Sequence, residues 1–250
     1  MNQGMRLSDL DTRIDHALAY FWSARREQTA RQRSANIHDQ GNRGAVTGGK
    51  QLDGFVNLMR DILMENGVEE GDIFTDTDLE LPGYYRPNKK WDLLVVSRRK
   101  LIAAIELKSQ VGPSFGNNFN NRTEEAMGSA LDLWTAYREG VFGTQNPPWL
   151  GYFMILEDCP RSAVPVKVRS PHFDALGEFT DASYQKRYEI FCSKLLLERQ
   201  YSAACFMTTS VSRGGSVSAR CPNAALSYRS FIASMLGAVV SQIGREGSEP

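Results

Sequence analysis

The chain has 250 residues, 42% hydrophobic and 10% aromatic, enough for one large domain or two small ones with a sizeable core. Lys+Arg and Asp+Glu number 29 each, so no basic excess argues for nucleic acid, although a balanced chain can still be locally polarised. A charged fraction of 23% and the absence of any long apolar run exclude a disordered chain and a membrane protein; MNQGMRLSDLD lacks a signal peptide's apolar stretch, so a cytoplasmic location is expected.

In chain order, a long helix comes first. Ser8 or Asp9 can cap it, and Ile14, Leu18, Phe21 and Trp22 share one face. It runs into REQTARQRSAN, whose arginines read as a solvated face or as a phosphate-facing arm. A glycine-rich loop, GNRGAVTGGKQLDGF, leads to a helix over about 52–66 with Phe55, Leu58, Met59 and Ile62 inward and Gly67 as its stop. A first strand is expected over 72–81, broken at Pro82-Gly83.

WDLLVVS and LIAAIELKS are the clearest strands, and Arg98, Arg99 and Lys100 between them indicate a hairpin. QVGPSFGNNFNNR has no periodicity and reads as a loop. A helix follows over about 123–139, with Met127, Leu131, Trp134 and Tyr137 as its core stripe. Then come a strand over 149–156, a helix over 181–199, a buried strand over 201–209, the loop SVSRGGSVSAR and a last helix over 228–243. No repeat or linker divides the chain. The expected fold is α/β: a central mixed β-sheet flanked by α-helices, one domain over 1–250 with an N-terminal helical region at about 8–66.

Cys159, Cys192, Cys205 and Cys221 form no C-x-x-C pair and read as reduced structural thiols. His16, His38 and His172 are scattered and suggest no metal cluster. Gly44 to Lys50 satisfies G-x-x-x-x-G-K, but Gln51 stands where a phosphate-binding loop needs Ser or Thr, and the preceding segment is polar rather than a strand. Arg43 and Lys50 in these glycines either meet a phosphate chain or mark a plain surface turn.

The hairpin carries the chemistry. Glu106 and Lys108, two apart on a strand, share a face. A three-residue loop at 98–100 pairs Ser97 with Leu101 and sets Asp92 opposite Glu106, with Cβ atoms about 5 Å apart; a two-residue loop would put them on opposite faces. Two opposed carboxylates with a lysine alongside suit Mg²⁺, a hard cation that keeps several waters and is completed by phosphate. In metal-assisted phosphodiester hydrolysis, Asp92 and Glu106 would hold the ion and Lys108 would orient water or stabilise the transition state.

The arrangement resembles the PD-(D/E)xK nucleases, with Trp91 in place of the motif's proline. More specifically, GNRGAVTGGKQLDGF, KKWDLLVV, AAIELKSQVGPSFGNNFNNRTEEAMGSALDLWTAYREG and WLGYFMILED resemble the XhoI family of type II restriction endonucleases. That resemblance implies a restriction-endonuclease-like core, a Mg²⁺-dependent homodimer acting on double-stranded DNA, and cleavage of CTCGAG after the first C to leave four-base 5′ overhangs. It further implies a cognate DNA methyltransferase as functional partner, and gives Asp92 and Glu106 as metal ligands and Lys108 as catalytic lysine.

For DNA contact the sequence offers Asn117, Asn118, Asn120, Asn121 and Arg122, amides and a guanidinium suited to base edges, or simply residues that favour turns. Arg213 and Arg220, in a second polar loop, are weaker candidates for the same work, and Lys89 and Lys90 are either phosphate contacts or plain exposed hairpin charges. Gln110, Glu65, Glu124 and Glu125 are further polar groups near the expected site. Two rivals fit the same residues: a repair or recombination nuclease on this core, and a DNA-binding protein with inert acids.

Overall fold

The computed structural model describes residues 7, 9–34, 50–212 and 214–246. Arg43, Arg213, Ser8, His38 and the glycines from Gly44 to Gly49 lie outside them. Among the described residues no helix is long and apolar enough to cross a membrane, and all four cysteines are free thiols.

Three parallel strands form the centre: β5 (Lys100–Gln110), β6 (Trp149–Glu157) and β7 (Ala203–Val211). Their apolar runs are buried on both faces, as parallel strands covered by helices require. Antiparallel strands extend the sheet at each side, giving the order β1-β4-β5-β6-β7-β8, with β1 (Ile73–Phe74), β4 (Leu93–Ser97) and β8 (Val217–Arg220). Helices α1 (Leu10–Ser34), α2 (Asp53–Glu65) and α6 (Tyr228–Glu246) supply one face. There Phe21, Phe55, Met59, Phe231 and Met235 pack on Ile105, Phe153 and Met207. On the other face lie α3 (Phe115–Arg138) and α5 (Tyr184–Leu197), packed on Ala104, Tyr152 and Phe206. A single turn, α4 (Pro160–Ala163), follows β6. The expected α/β architecture is what the chain adopts.

Several elements differ from expectation. The segment 72–81 is not one strand: β1 is only two residues long, and a separate small hairpin pairs β2 (Glu80–Pro82) with β3 (Asn88–Lys90). QVGPSFGNNFNNR is not a loop. Its first residues end β5, and α3 begins at Phe115, so the asparagines are helical. Phe115 and Phe119, one turn apart, stack on Tyr184 and meet Tyr188 edge-on, which compensates for the weak helix propensity of asparagine. Farther along, Met127 and Leu131 are exposed; the buried stripe is Ala126, Ala130, Leu133 and Ala136. SVSRGGSVSAR includes the end of β7 and all of β8, which pairs back on it.

The hairpin turn matters most. Ser97 pairs with Lys100, not Leu101, so the turn has two residues, Arg98 and Arg99. Both have positive φ, 49° and 63°, the twist-matched geometry of tight hairpins. By itself this would reverse the face on which Asp92 falls. A β-bulge restores it: Val96 pairs with Leu101 and Val95 with Ala103, so Ile102 is an extra residue. Beyond the bulge Leu93 pairs with Ile105, and the next step sets Asp92 against Glu106.

Candidate active site

Asp92 sits just before β4, where the ladder stops. Its N–H donates to the Ile105 carbonyl at 3.1 Å. Its carboxylate turns into the sheet plane, and Oδ2 accepts from the Leu107 N–H at 2.7 Å. The side chain thereby stands in for a strand partner that β4 no longer provides. Burial raises the Asp92 pKa above the ordinary carboxylate range, Glu106 adds to this, and Lys108, the Leu107 amide and Lys89 only partly oppose it.

Glu106 is almost fully buried, 2% exposed. Its Oε1 receives two ammonium groups, Lys108 Nζ at 2.8 Å and Lys89 Nζ at 3.0 Å. Tyr201 donates its hydroxyl to the Ala126 carbonyl at 2.9 Å and lies 3.3 Å from Glu106 Oε2. Burial pushes the Glu106 pKa up, yet the two lysines overcome this and hold it below its usual value. Lys108 is likewise desolvated, but Glu106 and Asp92 hold its proton more tightly than usual. Lys89 differs: burial lowers its pKa, and Glu106 does not fully offset that cost.

The three expected residues Asp92, Glu106 and Lys108 therefore converge. Their surroundings form a cleft of about 660 Å³ lined by Glu106 and Lys108 together with Tyr85, Arg86, Lys89, Arg122 and Asp132. Lys89, expected on phosphate, reaches Glu106 instead and lies 4.4 Å over the Trp91 ring. Arg122 pairs with Glu125 at 2.5 Å through Nη1, while its Nε is buried and has no hydrogen-bond partner. That unpartnered donor, with Lys108 beside it, suits an anion.

Other candidates fall elsewhere. Asn117, Asn120 and Asn121 are exposed on the first turns of α3, and Asn118 is half-buried there. Lys90 is exposed on β3. Lys50 is exposed in a 3₁₀ turn before α2. Gln110 is buried, accepting from the Tyr188 hydroxyl and directed at the Ser114 carbonyl, a packing role. Glu65 pairs with Arg13 at 2.8 Å, twelve residues from the α2 N-terminus and so about 18 Å from it along the axis. Glu124 and Glu125 line the cleft from α3. Arg220 binds Gln185 at 2.5 Å and lies 3.5 Å from Asp158.

Sequence reasoning missed Lys89 as a partner of Glu106, Tyr201 beneath it, and Asp132, which accepts three hydrogen bonds at the cleft wall. It also missed Asp53, the first residue of α2. Burial raises the Asp53 pKa, and Asp76 and Asp92 add to the shift. No spacing in the sequence joins these residues to the hairpin.

The donor set fits a hard divalent cation. Among the described residues no group of three or more His, Cys, Asp or Glu side chains forms a ready cage, so the protein would supply two carboxylates and leave the remaining positions to water and substrate. Asp92 is an acid that burial keeps from ionising easily, and an adjacent cation would reverse that.

The sequence matches the family described as restriction endonuclease XhoI over residues 31–218. It is 54% identical over 180 residues to the type II restriction enzyme BstVI of Geobacillus stearothermophilus, covering 70% of this chain and 80% of that one. To the type II restriction enzyme XhoI of Xanthomonas vasicola the identity is 45% over 194 residues, with 77% of each chain covered. To the type II restriction enzyme AbrI of Azospirillum brasilense it is 48% over 170 residues, covering 68% of this chain and 76% of that one. No solved structure matches significantly.

Proposed function

The chain belongs to the XhoI family of type II restriction endonucleases, site-specific deoxyribonucleases acting on double-stranded DNA, and from that premise we propose that it cuts CTCGAG after the first C, using Mg²⁺ held by Asp92 and Glu106. The observation that carries the reading is the meeting of Asp92, Glu106 and Lys108 at the end of one hairpin, with Glu106 and Lys108 lining a cleft that Arg122 also lines.

When bound, the divalent ion supplies charge neutralisation at the phosphoryl oxygens and a water of lowered pKa. Lys108, kept charged by the two carboxylates, meets the negative charge that builds on the phosphate in the transition state. Arg122 lines the same cleft and would bring its guanidinium close to another phosphate oxygen. Lys89 shares Glu106 with Lys108 and would be the group to yield that carboxylate to a bound divalent ion. Asn117, Asn120 and Asn121 occupy one exposed face of α3, spaced as helix residues that enter a major groove, where asparagine pairs with adenine. A palindromic target calls for a two-fold protein, hence a homodimer with one cleft per strand. A methyltransferase of the same specificity would protect host DNA.

The test is digestion of a sequenced plasmid with Mg²⁺ and with EDTA, followed by sequencing of the fragment ends. Discrete fragments ending in 5′-TCGA, absent with EDTA, are expected. Cutting that follows branches or damage instead of sequence would favour a repair nuclease on the same core.

A further inference from the structure

We propose that the tip of the β2–β3 hairpin, Tyr84 to Arg86, is a rigid wedge that touches the DNA duplex beside the cut phosphate. The proposal rests on the reading of the cleft as a DNA site. Asp132, reaching from α3 with its side chain only 6% exposed, accepts hydrogen bonds from the Tyr84 and Tyr85 amides, both at 2.8 Å, and from Arg86 Nε at 2.7 Å. Three charge-assisted bonds to one buried carboxylate fix the tip's backbone. Gly83 allows this approach: a Cβ there would lie 2.4 Å from Asp132 Oδ2 and 2.8 Å from the Arg86 carbonyl oxygen.

The two tyrosines on this fixed tip face outward. Tyr84 is 52% exposed and Tyr85 66%, and their rings meet edge to face at 4.9 Å. Tyrosine loses little conformational freedom on contact and presents an apolar ring with a polar end, which suits a partly wet interface. Tyr85 and Arg86 line the cleft that holds Glu106 and Lys108. Arg86 uses Nε on Asp132, which leaves its Nη groups for a phosphate. The cleft lining balances Arg86, Lys89, Lys108 and Arg122 against Glu106, Glu124, Glu125 and Asp132, so the fit to a duplex rests on the Arg86 Nη groups and the exposed rings beside the cut phosphate, not on a net positive charge. Asp132 is thus a positioning residue for the tip, and the tyrosine rings are the contact.

The experiment uses the full chain and a short fluorescent duplex carrying the proposed site, followed by anisotropy in Ca²⁺, with cleavage measured separately in Mg²⁺. Wild type must first bind and cut; if it does neither, the reading of the cleft fails and the wedge with it. Given wild-type activity, Tyr84→Ala/Tyr85→Ala is expected to weaken binding by about tenfold, the loss of a base- or sugar-stacked ring. Its melting temperature should be unchanged, because both rings are exposed. Tyr85→Trp, which keeps a ring, should bind as wild type does. Affinity of the double variant within twofold of wild type, with wild-type cleavage intact, overturns the wedge and leaves the nuclease reading standing.

Discussion

Replacing Lys89 by Met should make the DNA-free protein bind divalent metal more tightly. Lys89 and Lys108 share Glu106 at 3.0 and 2.8 Å, and with Asp92 the cluster holds two negative and two positive groups. An arriving divalent cation makes it strongly positive, so one ammonium must move. For a fixed ammonium about 5 Å from a doubly charged ion, repulsion at an effective dielectric of about 20 comes to roughly 7 kcal/mol. The flexible lysine stem escapes most of that by swinging away, and a residual of about 1–3 kcal/mol is the expected gain, a factor of about 5 to 150 in affinity. Stability should change by less than about 1 kcal/mol, because Glu106 keeps Lys108 and the variant removes an ammonium whose burial was not fully compensated. Mn²⁺ titration followed by electron paramagnetic resonance reads the affinity, and urea denaturation checks the fold. An affinity equal to or weaker than wild type, in a folded variant, would refute the competition and mean that Lys89 organises the ligands.

Lys108→Met should abolish cleavage, a loss of at least about a hundredfold, while anisotropy shows cognate DNA still bound. Asp92→Asn and Glu106→Gln should move stability in opposite directions. Asp92 has a raised pKa, so the native state holds a proton that the unfolded chain releases first; stability falls as pH rises through that window, and Asp92→Asn raises the urea midpoint above it. Glu106 has a lowered pKa; its contribution is present above the unfolded carboxylate value and is lost as pH falls through the folded one. Glu106→Gln leaves two desolvated ammonium groups with only Asp92 as a nearby anion and should cost about 3 kcal/mol at neutral pH. Asp132→Ala strands two amides and Arg86, and should cost about 2 kcal/mol. DNA affinity should drop steeply with salt despite zero net charge, and a flat response would contradict phosphate contacts in the cleft.

The layers of the fold were legible because they follow from periodicity. Continuous apolar runs at 101–105, 149–156 and 203–207 mark strands covered on both faces, and Phe55, Leu58, Met59 and Ile62 mark the inner side of α2. The start of α3 was obscured by its composition. Four asparagines and a glycine suggest a turn, but Phe115, Phe119, Arg122 and Ala126 recur at helical spacing, and that was the signal available. The β2–β3 hairpin left no such trace. It is held by Asp132, more than forty residues away, and by Trp91, whose N–H bonds the Leu79 carbonyl at 2.9 Å. Asp92, Glu106 and Lys108 can be associated from sequence because one hairpin carries all three. Lys89 and Arg122 reach the same cleft from other elements, and only tertiary packing brings them there.

The hairpin also shows why a single turn length is a poor guide to which face an acidic side chain takes. A two-residue turn fits the strands' twist, and taken alone it would move Asp92 across the sheet. One extra residue, Ile102, restores the parity and is itself buried against the helices of the opposite face. Core packing thus enforces the bulge, and the bulge places the acid. At the far end β4 has run out, and the Leu107 N–H would face an empty edge without the Asp92 carboxylate at 2.7 Å. An amide at position 92 could satisfy that donor equally well and at lower cost in burial. The hydrogen bond therefore explains why an acceptor stands there, but not why it is charged. The charge opposes stability in the absence of a cation, and a residue that weakens its own fold is best accounted for by a ligand that repairs the deficit.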